Sequence, residues 1–200
     1  LMVVYFLTRT KYYEDIDNSR LKFKSKLFLA TFFGFLSVYG TISGKFLEHL
    51  GIFINTRDIG PLLAGLIGGP LVGLIAGLIG GTHRFMLGGF TGIACSLSTV
   101  FSGLVGGIFF KFRKGQLPCV SCAILIGAGV EVFHMIFVII FSRPLDKAIE
   151  AVSNASIPMI LATSLGLGSF AFLIQNYKKE QKVKESEEKI KNELRVAQEI

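Results

Sequence analysis

At 200 residues, with a mean hydropathy of +0.58 and only 18% charged side chains, the chain is too apolar to cover the surface of a soluble domain. Its 23 glycines and 19 phenylalanines suit membrane helices that approach one another closely. The net charge of +7 lies in loops and in the tail, where it reports topology first and does not call for a nucleic-acid partner. Three cysteines without secretory spacing give no disulfide framework.

In chain order, the first apolar run stops at Leu7, which reads as a fragment whose first membrane helix has lost its start. Residues 8–26 are polar and carry Arg9, Lys11, Arg20, Lys22, Lys24 and Lys26. Residues 27–44 form a membrane span of about the 20 residues a bilayer needs. A mixed loop, 45–59, holds Glu48, His49 and the cluster Asn55-Thr56-Arg57-Asp58. The uncharged stretch 60–81 follows, with Gly65, Gly69, Gly73, Gly77 and Gly81 at every fourth position and Pro70 in its middle. After a loop from His83 to Phe90 come a span at 91–110, the basic stop Lys111-Phe112-Arg113-Lys114 and a long span at 120–141. Residues 142–156 are polar and amphipathic, 157–174 form the last span, and from Gln175 the composition turns to Lys- and Glu-rich helix formers.

The basic segments decide how 60–81 is folded. Residues 8–26, 111–114 and the tail should all be cytoplasmic. One straight span at 60–81 breaks that alternation, whereas a hairpin of two short helices, 60–69 and 70–81, restores it. Pro70 opposes an uninterrupted helix and suits the first position of a second one. Each half is only about 15–17 Å long, so the turn must be buried in protein or lie near water. The alternative is a single span kinked at Pro70 with one basic loop on the wrong side. The hairpin brings Arg57 and Arg84 to the same side; the straight span puts them a membrane apart.

Several groups are candidates for chemistry. Arg57 and Arg84 can clamp a small anion, or anchor the chain at the interface. Thr91, Cys95, Ser98 and Ser102 share a helical stripe that can meet a carbonyl or carboxylate oxygen, or simply pack helices. Glu131 and His134 lie i, i+3 near mid-bilayer, where an ionisable residue is a functional hypothesis by default. Cys119 and Cys122 are a lone CxxC with too few ligands for a metal. Glu131 and His134 alone do not make a metal or acid–base cluster, so no metal, cofactor or catalytic residue is expected in these 200 residues. The glycine ladder is a packing surface, not a nucleotide loop. In the tail, Ile190, Leu194 and Ala197 approximate a coiled-coil seam suited to a homodimer.

The stretch from Asn55 to Thr99 resembles the five-transmembrane receptor region of the Lyt-type sensor histidine kinases. The matching residues are Asn55 and Arg57, then Gly68-Gly69-Pro70, Gly73, Gly77, Gly81 and Arg84, then Gly88-Gly89-Phe90, Cys95 and Ser98. Glu131 to Met135, Arg143-Pro144 and Pro158-Met159 extend the likeness to about residue 177. The resemblance implies an all-α polytopic bundle of about six helices plus a truncated first one. It also implies a receptor facing outward from the bacterial cell (inner) membrane, with its C-terminus in the cytoplasm. The receptor would occupy 1–177, and 178–200 would be a signalling helix leading to an output domain and a response regulator. In family members that sense pyruvate, two Arg, a Cys and a Ser hold the ligand; the matching positions are Arg57, Arg84, Cys95 and Ser98. Asn55, Gly69, Pro70, Gly73, Gly77 and Glu131 would support them. Other members are tied to cell-wall control. The bundle also looks like the substrate-binding subunits of energy-coupling-factor vitamin transporters, so a transporter or its binding subunit is the alternative. The phosphoacceptor region of a Lyt-type kinase is not found in these residues, and 193–200 look like the lead into a SpoIIE-type serine phosphatase.

Overall fold

The computed structural model describes residues 22–47 and 52–198. The expected helix stump at 1–7, the first part of the basic segment, Glu48 and His49 lie outside the described residues. The described chain is α1 (Phe23–Ile42), β1 (Lys45–Leu47), β2 (Ile52–Ile54), α2 (Ile59–Gly68), α3 (Pro70–Met86), α4 (Gly92–Phe112), α5 (Val120–Phe141) and α6 (Leu145–Gln198). The architecture is an all-α polytopic bundle. Among the described residues the one β feature is a short antiparallel pair, with Lys45 opposite Ile54 and Leu47 opposite Ile52. Among the described residues four helices, α1, α4, α5 and α6, are long and apolar enough to cross a membrane.

The glycine-rich stretch is a hairpin. Gly69 has φ +89°, a conformation open to glycine, and Pro70 starts α3 without needing an amide hydrogen. A methyl group placed on Gly73 would fall 2.8 Å from the Cα of Gly65. In a straight helix those two residues would stand about 12 Å apart. The turn sits beside Gly107 and Phe110, in the last turns of α4. The hairpin therefore descends along most of α4.

Glycines explain why the helices can pack so closely. A methyl at Gly73 or Gly103 would overlap the other residue's backbone carbonyl, and one at Gly65 would meet Gly103 and Gly107. On the far side of α3, Leu71, Leu78 and Phe85 are exposed at seven-residue intervals, an outward apolar stripe suited to lipid. The buried core joins Leu29 and Phe33 of α1, Leu62 and Leu66 of α2, Val72 and Ala76 of α3, and Leu167 and Phe170 of α6.

Two element boundaries differ from the sequence reading. The second hairpin helix runs to Met86, so Arg84 stands in its last turn and not in a loop. The polar segment 142–156 is not a loop either: α6 runs 54 residues from Leu145, through the last span and into the tail. Ala148, Ala151 and Ala155 supply a small buried face there, which lets a polar-looking segment pack as a helix. Cys119 and Cys122 are joined by a disulfide at the start of α5.

The hairpin makes a topological prediction. Ser43→Cys and Met86→Cys, each in a background with Cys119 and Cys122 changed to Ser, should react with a membrane-impermeant thiol reagent from one side. Lys114→Cys should react only from the other. Labelling of the first two from opposite sides would mean a straight span.

Candidate functional site

The candidate site is built on α4, on the turn that precedes α2, and on the last turn of α3. Thr91, Cys95 and Thr99 recur every fourth residue of α4, so they share one face at steps of about 6 Å. Arg84 comes to the upper end of this face. It donates from Nη2 to the Thr91 hydroxyl at 2.9 Å and from Nη1 to the Gly88 carbonyl at 2.6 Å. Arg57 comes to the lower end and donates from Nε to the Thr99 hydroxyl at 2.7 Å. Cys95 lies between, one turn from each threonine.

Arg57 is fully buried, about 10 Å along α4 from its first residue. The segment before α2 is thus not a surface loop but dips into the bundle. Asn55 shapes it, accepting the Arg57 backbone N–H on its side-chain oxygen at 3.2 Å. Gly40 of α1 makes the room, since a methyl there would press on the Arg57 backbone at 3.1 Å. The two terminal nitrogens of Arg57 are buried without a hydrogen-bond partner among the described residues.

Asp58 is the hub. Its Oδ1 lies 2.7 Å from the Thr99 hydroxyl and 3.6 Å from Arg57 Nε. Its Oδ2 lies 2.9 Å from His134 Nδ1 and accepts a long bond from Ser98 at 3.4 Å. The Thr99 hydroxyl also lies 2.9 Å from the Cys95 carbonyl oxygen. With one proton, it serves the carboxylate or the carbonyl, not both at once. His134 stands between Asp58 and Glu131, whose Oε2 is 3.4 Å from Nδ1, while its Nε2 lies 3.3 Å from Cys95 Sγ. Thr163 of α6 donates to Glu131 Oε1 at 2.6 Å. Buried charges are tolerated when they are paired and hydrogen-bonded, and this network pairs them across four elements.

Among the residues read from the sequence, Arg57, Arg84, Cys95 and Ser98 are buried around one stretch of α4. Ser98 faces the Asp58 carboxylate. Gly69 and Pro70 make the hairpin turn, Gly73 and Gly77 seat α3 on α4, and Glu131 reaches the network through His134 and Thr163. Asp58 and Thr99 were missed as members. Thr99 lies one turn beyond Cys95, a signal the spacing carries, whereas an aspartate in a short polar cluster reads as solvated. The spacing points to no metal-ligating cluster, yet among the described residues Asp58, Glu131 and His134 offer ligand atoms within 4.8 Å of one another. Arg57 already places a positive charge beside that Asp58 carboxylate.

A cavity of about 20 Å³ opens beside Cys95, lined by Thr91, Cys95, His134, Met135, Val152 and Met159 among others. It holds about one water-sized group.

The five-transmembrane receptor model described as 5TMR of 5TMR-LYT matches residues 10–177. The chain belongs to this Lyt-type receptor family. It is 31% identical over 187 residues to the sensor protein LytS of Bacillus subtilis (strain 168), covering 84% of this chain and 31% of that protein. It is 30% identical over 175 residues to the sensor histidine kinase BtsS of Escherichia coli (strain K12), covering 85% and 31%. It is 26% identical over 201 residues to the sensor histidine kinase/phosphatase LytS of Staphylococcus aureus (strain Mu50), covering 92% and 34%. The chain spans about a third of the length of these relatives. No solved structure matches it. The family and the four apolar helices together make the chain a multi-pass, membrane-embedded sensor domain.

Proposed function

We propose that this receptor domain binds a small carboxylate such as pyruvate from the outer side of the bacterial inner membrane, through Arg57, Arg84, Cys95 and Ser98. The observation that carries the reading is the state of Arg57. A fully buried guanidinium with two unpartnered nitrogens is costly, and a ligand carboxylate offers the planar acceptor it lacks. Arg84 supplies a second cation on the same face of α4. The cavity beside Cys95 is too small for a three-carbon acid, so ligand entry requires α5 or α6 to shift at Met135 or Met159. That displacement is the signal.

In this reading α6 leaves the membrane with its C-terminus in the cytoplasm. Residues 1–177 act as the receptor, and 178–200 connect it to an output domain of the histidine-kinase type with its response regulator. Val183, Ile190 and Leu194 are exposed along the tail and supply the seam for a homodimer. The role in cell-wall control is the one suggested by the likeness to Lyt-type kinases.

Calorimetry with pyruvate tests the site. Arg57→Ala and Arg84→Ala should each weaken binding by about a hundredfold or more. Unchanged affinity in both variants would overturn the assignment.

A further inference from the structure

Cys95, His134 and Asp58 form a chain in which each member meets the next. The sulfur lies 3.3 Å from Nε2, and Nδ1 lies 2.9 Å from the Asp58 carboxylate. A thiol facing an imidazole that can take its proton is the arrangement that activates a sulfur nucleophile. The ring is set with Nδ1 toward the Asp58 and Glu131 carboxylates, at 2.9 and 3.4 Å, and with Nε2 toward the sulfur. Three separate elements contribute one residue each, and a stripe of small packing residues needs none of this. The cavity reaches Cys95 and His134 together. One turn further along α4, Arg57 brings two buried nitrogens without a partner.

We infer that Cys95 captures the keto carbon of a 2-oxo acid as a reversible hemithioketal. His134 carries the proton, with the Asp58 carboxylate beside its other nitrogen. The inference rests on the carboxylate-receptor reading given above. In the step, His134 Nε2 takes the thiol proton and the sulfur electron pair forms a C–S bond to the keto carbon. The carbonyl π bond breaks toward oxygen, and that oxygen takes the proton back from Nε2. Nothing is oxidised or reduced, and the acid carries no leaving group, so the adduct reverts when the ligand departs. Such a bond lets the receptor tell a keto acid from a hydroxy acid of nearly the same size.

The test is carbon-13 NMR of the intact protein in lipid nanodiscs with pyruvate labelled at its keto carbon. On binding, the keto resonance should be replaced by one in the tetrahedral range, and Cys95→Ala should lose that signal. Pyruvate should bind the native protein about tenfold or more tighter than lactate, and Cys95→Ala should bind the two alike. Lactate binding by Cys95→Ala shows that the variant is folded. Bound pyruvate that keeps its trigonal resonance would overturn the covalent step and leave the carboxylate receptor standing. So would a tetrahedral signal that survives Cys95→Ala, which would be a bound hydrate. Failure of pyruvate, lactate and propionate alike to bind the native protein would overturn both readings.

Discussion

Asp58→Ala is expected to cost about 3–5 kcal/mol of stability, the range for removing one partner of a buried charge pair. Asp58 stands within 3.6 Å of Arg57 and 2.9 Å of His134, and it receives Thr99 and Ser98. Without it, Arg57 keeps a full charge in the interior with no carboxylate beside it. In a protein of this size the loss should lower the melting temperature by about 10 °C or more. Asp58→Asn keeps the shape and some hydrogen bonds but not the charge, so it should fall between the two. Fluorescence-detected size-exclusion chromatography after heating reads the difference in detergent. A melting temperature for Asp58→Ala within about 2 °C of the parent would mean that Arg57 is neutralised by something other than Asp58.

The second large effect is expected at the glycine contact between α3 and α4. Gly73→Leu or Gly103→Leu should each destabilise the bundle by at least about 3 kcal/mol, the upper part of the range for overpacking. The obstacle at either site is the backbone of the facing glycine and not the end of a flexible side chain. Relief requires the two helices to separate, and that moves Cys95, Thr99 and the hairpin turn with them. Gly129→Ala in α5 is the matched control. A methyl there meets nothing within 4 Å, so it should be neutral or slightly stabilising through helix propensity. Both leucine variants are expected to fail to give a monodisperse peak. Normal behaviour of Gly73→Leu would mean that α3 and α4 do not meet as described.

The hairpin was legible because two independent signals coincided. Pro70 and Gly69 mark a break, and the basic segments at 8–26, 111–114 and the tail demand an even number of crossings between them. The Arg pair was legible once the hairpin was accepted. Asp58 was not, because an aspartate in a short polar cluster reads as solvated, and burial is decided by Gly40 and α4, far away in sequence. His134 and Glu131 could be paired from their spacing, but the register of α5 against α4 that sets His134 beside Cys95 is a tertiary fact. The long α6 was hidden for a compositional reason. Its first turns are polar enough to look like a loop, and only Ala148, Ala151 and Ala155 betray a packed face.

The unbroken length of α6 has a mechanical meaning. Thr163, which holds Glu131, is 35 residues from Gln198, about 52 Å along one helix. The proline in this helix, Pro158, lies N-terminal to Thr163, so the lever arm between Thr163 and the far end contains no proline. A tilt of about 5° at Thr163 would carry Gln198 sideways by about 4–5 Å, and an axial rotation would arrive there undiminished. A sub-ångström adjustment around a carboxylate deep in the bundle would in this way be geared up to a displacement of several ångströms at the far end of the helix.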